Sequence, residues 1–341
     1  VVLVGRERPT SRPLTVQPFQ QHRLPCRFDS GKLFYIEFNI RLLLWLLRQP
    51  FDAVCAVDLD TLLPGFLASR FRRKPLVYDA HEYFTETPEV VRRPLIRRAW
   101  SLLAYACLPK LRYAYTVGPR LARLLAARYR LPFAVIRNMP FRQKPVEDTP
   151  KADPPVLLYQ GALNEGRGLE TCLEAMQQLE GVQLWLAGEG DRSEALRQMA
   201  RDLGVSHKVK FLGFLRPEEL RALTPQAFLG LNLLENKGLS YYYSLANKAF
   251  DYIQAGLPAI HMNFPEYRSL HKAYPAFELL PELSSDALAG LIRQLQQQPG
   301  RYQEMKQQCR AAAKVWNWEM EEERLLRFWH AVFKPTVHRH R

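Results

Sequence analysis

Short apolar runs alternate with stretches of helical periodicity along most of the chain. The short runs lie at residues 1–5, 53–57, 76–78, 114–117, 156–159, 182–187, 209–211, 228–233 and 259–262. In the second half, helical patterns at 169–179, 192–203 and 245–255 separate them. This alternation is typical of parallel sheets covered by helices on both faces. The pattern therefore predicts an α/β protein with two Rossmann-like halves.

A proline-rich segment separates the two series of predicted strands. Residues 140–155 contain five prolines and several charges, as interdomain linkers often do. We therefore predict an N-terminal domain at 1–145 and a C-terminal domain at 150–317.

Both ends of the chain also give expectations. The opening VVLVG has the pattern of a buried strand with no element before it, so we expect the first strand and helix of this domain to precede Val1 in a longer gene product. At the other end, residues 311–332 predict one helix with an apolar stripe. The stripe consists of Trp316, Leu325, Phe328, Trp329 and Val332.

Composition excludes several classes of protein and leaves one unusual number. The chain has 47% hydrophobic and 24% charged residues, which excludes a disordered protein and a collagen-like protein. The longest apolar run, at 42–47, is far shorter than the ~20 residues of a spanning helix. The cysteines, Cys26, Cys55, Cys107, Cys172 and Cys309, stand singly among apolar neighbours and are expected to be core residues of a protein in a reducing cytoplasm. The net charge of +14 is the exception, because it suggests an anionic partner.

A glycine-rich loop follows the predicted strand at 156–159. Gly161, Gly166 and Gly168 stand between that strand and a helix, where backbone N–H groups and the helix dipole favour an anion. Arg167 could add a bidentate contact to phosphate. The alternative is a tight turn with a solvated arginine.

A second candidate segment is SLANKAFDYIQAGLP. If a helix begins near Ser244, the helical step places Ser244, Lys248 and Asp251 on one face. Lys248 would bind phosphate and Asp251 would accept ribose hydroxyls. The alternative is a capped helix with a Lys–Asp pair one turn apart.

Four ordered motifs give the chain its resemblance to a known family. YQGALNEGRGLE, LAGEGD, VKFLGFL and SLANKAFDYIQAGLPAI resemble the nucleotide-binding half of GT-B glycosyltransferases, particularly the retaining glycosyltransferase family 4. The resemblance implies two domains facing a cleft, with a last helix at about 318–341 that crosses back to the N-terminal domain. It implies a hexosyltransferase-type enzyme that moves a sugar from a nucleotide-diphosphate sugar with retention, needing neither metal nor resident cofactor. The donor-binding residues it implies are Gly161, Arg167, Gly188, Ser244, Asn247, Lys248 and Asp251.

The chain departs from the family pattern at several donor positions. Ala162 stands where the family often has an arginine, and Arg167 stands where it often has a lysine. Tyr243 and Asp251 occupy the positions of two glutamates. These departures leave two alternatives open: a nucleotide-sugar epimerase of GT-B-like fold, and a non-catalytic nucleotide-sugar-binding protein.

Candidate catalytic residues follow the strand PLVY. His81 would lie at the carboxyl end of a parallel strand, where it could hold or deprotonate an acceptor hydroxyl, and Glu82 is a second candidate. A structural histidine is the alternative, but the resemblance favours the catalytic role. Asp58 and Asp60 form a D-x-D pattern, which we interpret as capping of the next helix rather than as a metal site.

Basic residues are concentrated between Arg92 and Lys144, where 13 lysines and arginines occur without one Asp or Glu. A solvated face would carry charges of both signs, and no nucleic-acid-binding motif accompanies the stretch. Arg92, Arg93, Arg97 and Arg98 are interleaved with apolar residues, a pattern typical of helices that lie on anionic membranes. The apolar residues are Leu95, Ile96, Trp100, Leu102 and Leu103. We therefore expect a cytoplasmic protein, peripheral on the inner face of the cell membrane, whose acceptor is a glycan or is lipid-linked.

Overall fold

A computed structural model describes residues 1–9, 11, 13–143 and 150–334. These residues form two compact units. Unit 1 comprises Val1–Thr116 and Ala122–Val135, and unit 2 comprises Val117–Leu121 and the chain from Ile136 onward. Lys144 and the middle of the proposed linker lie outside the described residues.

All strand pairs of unit 1 are parallel. Strand β1 pairs with β2, and a second sheet has the order β3-β4-β5-β6. The strands are β1 (Val2–Arg6), β2 (Gln20–Leu24), β3 (Val54–Val57), β4 (Leu76–Ala80), β5 (Tyr113–Thr116) and β6 (Ala134–Val135). The helices are α1 (Gly31–Arg48), α2 (Asp58–Arg72), α3 (Pro88–Val91), α4 (Pro94–Cys107) and α5 (Pro119–Tyr129), of which the part from Ala122 onward belongs to unit 1.

The core of unit 1 follows from two patterns in the sequence. In α1, Phe38, Leu42 and Leu46 recur at helical spacing and pack with Leu24 and Ala68. All five residues of β4 are buried, as expected for a strand with parallel neighbours on both sides. The carboxyl end of β4 is thereby fixed, and His81 follows it directly.

Unit 2 contains one parallel sheet of order β12-β11-β10-β7-β8-β9. Its strands are β7 (Val156–Gln160), β8 (Gln183–Ala187), β9 (Val209–Gly213), β10 (Leu229–Asn232), β11 (Ala259–Met262) and β12 (Phe277–Leu280). Its helices are α6 (Leu169–Gln177), α7 (Ser193–Asp202), α8 (Pro217–Leu223), α9 (Leu239–Tyr242), α10 (Asn247–Gln254), α11 (Pro265–Ala273), α12 (Ser285–Gln297), α13 (Pro299–Ala313) and α14 (Trp318–Phe333). The strand order reverses between β7 and β10, and ligands of such sheets bind beside that point, at the carboxyl ends of the strands.

The parallel α/β architecture is confirmed in both units, whereas two details of the prediction are wrong. The sequence pattern missed strands β2, β6 and β12, and the predicted tail helix is in fact two helices. Asn317 separates them, because its side-chain carbonyl accepts the Met320 N–H at the start of α14. Its amide donates to the carbonyl of Ala313 at the end of α13.

The cysteine prediction is correct only in part. Cys107, Cys172 and Cys309 are buried, but Cys55 is exposed and Cys26 is half-buried. Among the described residues, no helix combines the length and the hydrophobicity that crossing a membrane requires.

The last helix contains a buried carboxylate whose partners lie far away in sequence. Glu321 is 1% exposed and accepts a hydrogen bond from the Arg137 backbone N–H at 3.1 Å. It also forms ion pairs with the guanidinium groups of Arg137 and Arg324. These contacts attach α14 to residue 137 within unit 2.

We predict that Glu321→Gln lowers the free energy of unfolding by about 3 kcal/mol, because it leaves a largely buried guanidinium without its counter-charge. Chemical denaturation measures the loss. The exposed Glu322 of the same helix provides the control, since Glu322→Gln should change stability by less than about 0.5 kcal/mol. Equal stability of the two variants would contradict the assigned role.

Candidate functional site

The glycine loop between β7 and α6 has a backbone that requires glycine. Gly161, Gly166 and Gly168 have φ values of +130°, +79° and +67°. A Cβ atom at Gly168 would lie 2.2 Å from the carbonyl oxygen of Leu233, which follows β10. The loop is therefore packed directly against the point where the strand order reverses.

Gly188, at the end of β8, lets a second loop approach the first. A Cβ atom there would lie 1.9 Å from the carbonyl oxygen of Gly161, and φ is +153°. A Cβ atom at Gly190 would similarly lie 2.3 Å from Oδ1 of Asn164. The structure thus brings together the predicted residues Gly161 and Gly188.

Two cationic side chains lie beside this loop. Nζ of Lys248 lies 3.6 Å from the ring centroid of Tyr159 and 3.2 Å from the position that a Cβ atom on Gly161 would take. The guanidinium of Arg167 lies 5.1 Å from the ring centroid of Tyr241. The structure therefore places Arg167 and Lys248 at one end of the sheet, as predicted.

Neither cation has an anionic partner in the described part of the chain. Nζ of Lys248 forms no hydrogen bond or ion pair there, and the buried Nε of Arg167 also has no hydrogen-bond partner there. Burial lowers the pKa of Lys248 well below its usual value, and the nearby Arg167 lowers it further. Such uncompensated charge is costly in a folded protein, and an anionic ligand would relieve the cost.

Asp251 lies one turn after Lys248 but is not paired with it. Its Oδ2 accepts a hydrogen bond from Nε2 of Gln160 at 3.1 Å, and Oε1 of Gln160 in turn accepts one from Thr224. Burial raises the pKa of Asp251 to about 6. The alternative of a capped helix with a Lys–Asp pair one turn apart is therefore wrong, since Gln160 holds the carboxylate at the end of β7 and the N-cap residue, Ala246, forms no side-chain cap.

The helix that contains Lys248 begins later than expected. Helix α10 starts at Asn247, which is exposed, so Ser244 lies in the preceding loop and does not begin the helix. The Ser244 hydroxyl donates to the carbonyl of Tyr241. Gly256 ends the helix with a φ of +63°.

Three tyrosines support this site and were not identified from the sequence. Tyr159 and Tyr241 contact the two cations, and the Tyr267 hydroxyl accepts the Ala246 N–H at 3.0 Å. Nδ2 of Asn232, the last residue of β10, donates a hydrogen bond of 2.9 Å to the same hydroxyl. The position of Tyr159 in the YQG motif, directly before the glycine loop, is the signal that could have indicated one of them.

In unit 1, His81 and acidic residues meet at the carboxyl ends of β3 and β4. Nε2 of His81 lies 3.1 Å from Oδ2 of Asp79, which also accepts the Tyr115 hydroxyl at 2.9 Å. The hydrogen bond with Asp79 raises the pKa of His81. The His81 side chain is 44% exposed, and its Nδ1 has no hydrogen-bond partner among the described residues. Glu82 is half-buried beside it.

Asp58 performs a different task from the predicted helix cap. The N-cap of α2 is Val57, and both Asp58 and Asp60 lie in the first helical turn. Oδ1 of Asp58 accepts the His81 backbone N–H at 3.1 Å, so it fixes the loop that carries His81. In the described parts of the chain, no group of three or more His, Cys, Asp or Glu residues is arranged to hold a metal ion.

The basic stretch is acid-free in sequence but not in space. Arg97 forms an ion pair with Glu86 at 2.5 Å, and Arg137 forms one with Glu321. Arg92, Arg93 and Arg98 are exposed. The expectation that the stretch lacks counter-charges is therefore wrong, because carboxylates before and after it in the sequence fold onto it.

Two family models together match nearly the whole chain. Residues 141–316 match the glycosyl transferases group 1 model, and residues 1–139 match glycosyltransferase family 4. The chain belongs to the group 1 glycosyltransferases. Solved structures of similar fold are GT-B glycosyltransferases, which confirms the expected GT-B fold.

Individual relatives show how far this similarity extends. LpsE, a lipopolysaccharide core biosynthesis glycosyltransferase of Rhizobium meliloti (strain 1021), is 46% identical over 67 residues, which are 20% of this chain and 19% of that protein. The aligned region thus spans about a fifth of this curated relative. Sucrose-phosphate synthase from Thermosynechococcus elongatus has a TM-score of 0.78, with 18% identity over 97% of this chain and 88% of that one. Anabaena Alr3699/HepE in complex with UDP and glucose has a TM-score of 0.73, with 16% identity over 92% and 86%.

We predict that Asp58→Asn stabilises the protein at pH 8 and has little effect at pH 4. Burial, together with the charge of Glu82, raises the pKa of Asp58 to about 7 in the folded state. The cost of ionising it therefore appears as the pH rises from about 4 to about 7. Asparagine keeps the oxygen that accepts the His81 N–H and tolerates the φ of +56°.

Denaturation at several pH values measures this effect, which should reach about 1 kcal/mol or more at pH 8. Asp52, which pairs with Lys74 on the surface, is the control. Asp52→Asn should show no such dependence on pH. A destabilised Asp58→Asn protein at pH 8 would contradict the prediction.

Proposed function

We propose that the chain transfers a sugar, with retention of anomeric configuration, from a nucleotide-diphosphate sugar to a glycan or lipid-linked acceptor. The observation that carries the proposal is the pair Arg167 and Lys248, two cations without an anionic partner in the described residues, beside a glycine loop. A diphosphate has the charge and the oxygen atoms that this arrangement requires. The UDP and glucose named in the complex of Anabaena Alr3699/HepE, a protein of similar fold, support the same ligand class.

The cations would act mainly on the leaving group. When the bond between the sugar and the diphosphate breaks, negative charge increases on the diphosphate oxygens. Fixed positive charges and N–H dipoles stabilise that state more than the intact donor, and this difference is what accelerates the reaction. Arg167 and Lys248 are held against Tyr241 and Tyr159, so little reorganisation is needed during the step.

Other residues around the loop would bind the rest of the nucleotide. Asp251 would accept the ribose hydroxyls, with Gln160 fixing the orientation of its carboxylate. Ser244 and Asn247 stand at the start of the segment that contains Lys248, where a hydroxyl and an amide can bind phosphate oxygens. Gly161, which has no Cβ beside Nζ of Lys248, would leave space for the diphosphate, and Gly188 would let the loop after β8 approach the loop after β7.

We propose that neither a metal ion nor a resident cofactor takes part. The guanidinium and the ammonium supply positive charge at the point where a divalent ion would otherwise neutralise the diphosphate. The nucleotide sugar is then a co-substrate, and its transfer should continue in the presence of a chelator.

His81 would act on the acceptor. Its Nε2 is engaged by Asp79, which leaves Nδ1 to accept a hydrogen bond from the acceptor hydroxyl. The raised pKa makes the ring a stronger base than an ordinary histidine. Glu82, close to the same loop, is the second candidate for this role.

We further propose that unit 1 carries a peripheral, anionic-membrane surface on the cytoplasmic side, and that nucleic acid is not a partner. Leu95 and Leu102 of α4 are 77% and 71% exposed, with Arg98 between them in the helix. Arg92 and Arg93 precede the helix, and Arg97 belongs to the same set.

Trp100, which the sequence pattern also placed on this surface, instead packs against Tyr35 and Phe84, so it is unavailable for insertion into lipid. The LpsE relative is named for lipopolysaccharide core biosynthesis, which supports a glycan or lipid-linked acceptor.

We predict that Lys248→Met weakens UDP binding about tenfold or more, because it removes a charge-assisted contact to phosphate. The same change should leave the free energy of unfolding equal or higher, since it replaces an uncompensated cation with an apolar side chain of similar length. Titration calorimetry and denaturation measure the two effects. Lys210, whose ammonium lies 5.4 Å from the Trp185 ring centroid on β8, gives the control variant Lys210→Met. Unchanged UDP affinity in Lys248→Met would overturn the donor site.

We predict that His81→Asn lowers turnover by about 10²-fold or more while the affinity for UDP stays unchanged. His207→Asn, at an exposed position of unit 2, should alter neither quantity. The assay follows sugar transfer from nucleotide sugars to candidate acceptors. Binding without turnover on any acceptor would favour the non-catalytic alternative, and a changed sugar configuration without acceptor would favour the epimerase.

A further inference from the structure

Unit 1 contains an open cavity of about 510 Å³ that the proposed reaction does not use. Helix α4 provides most of its wall, through Arg97, Arg98, Ser101, Leu102 and Tyr105, and α5 contributes Arg128. Among the residues that the structure describes, no acidic side chain lines it. Three guanidinium groups therefore surround one volume, together with a hydroxyl group and apolar carbon.

The three arginines are held in different ways. Arg97 is oriented by its ion pair with Glu86. Arg128 lies 5.6 Å from the ring centroids of both Tyr83 and Tyr105, and its buried Nε has no hydrogen-bond partner in the described residues. Arg98 is exposed and has no hydrogen bond or ion pair there. Arg98 and Arg128 thus keep donor capacity for an anion, and Arg128 is positioned in advance by aromatic rings.

The mouth of the cavity is apolar as well as basic. Leu102 lines it and is 71% exposed, and Tyr105 lines it and is 49% exposed. Leu95 stands one turn before Arg98 on the same helix face and is 77% exposed. A small hydrophilic anion would leave this apolar surface in water, whereas a phosphate attached to acyl chains would cover it.

We infer that this cavity binds the phosphate-bearing headgroup of an anionic membrane lipid. Arg98 and Arg128 donate to the phosphate oxygens, and the Ser101 hydroxyl adds a further donor. Leu95 and Leu102 contact the beginning of the acyl chains. The inference rests on the membrane-surface part of the proposed function. It adds that one lipid binds per chain at a single site, in place of a general attraction between charges. It is independent of the donor site in unit 2.

The test is titration calorimetry of the whole chain with dihexanoyl phosphatidic acid below its micelle concentration. We expect saturable binding of one lipid per chain, with much weaker binding of glycerol 3-phosphate and of dihexanoyl phosphatidylcholine. Equal binding of glycerol 3-phosphate would overturn the lipid assignment, because the apolar mouth would then contribute nothing. No saturable binding of the lipid would overturn the site itself.

Two variants of equal charge separate a site from general electrostatics. Arg98→Gln should weaken the binding of phosphatidic acid about tenfold, through loss of a charge-assisted contact. Arg123→Gln, on an exposed position of α5 outside the cavity, should leave it unchanged. Equal losses in both variants would show charge attraction alone and overturn the proposal. Both variants should bind UDP normally, so failure of this proposal is distinguishable from failure of the donor site.

Discussion

The close approach of two backbones, at Gly161 and Gly188, is the constraint on which the proposed donor site depends. Any side chain at Gly188 would overlap the carbonyl oxygen of Gly161, so the loops after β7 and β8 could not meet. Their contact lies beside the point where strand order reverses, which is where an open α/β sheet has a crevice. Lys248 reaches the first of these loops from α10. The position of the positive charge is therefore set by backbone packing before any ligand binds.

This arrangement leaves the ammonium group of Lys248 in an unfavourable environment. Lys248 has an aromatic ring beneath its ammonium but no carboxylate partner in the described residues, and burial lowers its pKa. Asp251, the nearest acid along the helix, is instead held by Gln160. If Asp251 paired with Lys248, the protein would gain stability, but part of the positive charge proposed to bind the diphosphate would already be neutralised. Keeping the two apart favours binding over stability.

The sequence predicted the parts of the fold and the site that depend on local pattern. Strand runs and glycine positions identified the sheet of unit 2 and the loop at Gly161, and the helical step identified Lys248 with Asp251. Contacts between residues distant in sequence could not be predicted in this way. Glu86 pairs with an arginine that lies 11 residues away in sequence, and Glu321 pairs with one that lies 184 residues away. The helical periodicity of the tail also gave no sign that the side chain of Asn317 would end one helix and begin the next. The start of α10 was misjudged because the Tyr267 hydroxyl, not a local cap, holds Ala246.

Contacts between residues distant in sequence also change the interpretation of the basic stretch between Arg92 and Lys144. Counted along the chain, 13 cations suggest a broad electrostatic surface. In space, Arg97 and Arg137 are paired with carboxylates, and Arg128 is enclosed by tyrosines. These contacts reduce the charge available to a ligand, and among the arginines that stay exposed, Arg98 lies between two exposed leucines. We propose that such a surface binds an amphiphile, since Arg98 has the exposed side chains of Leu95 and Leu102 within about one helical turn. A polymer such as nucleic acid would instead need a continuous basic track.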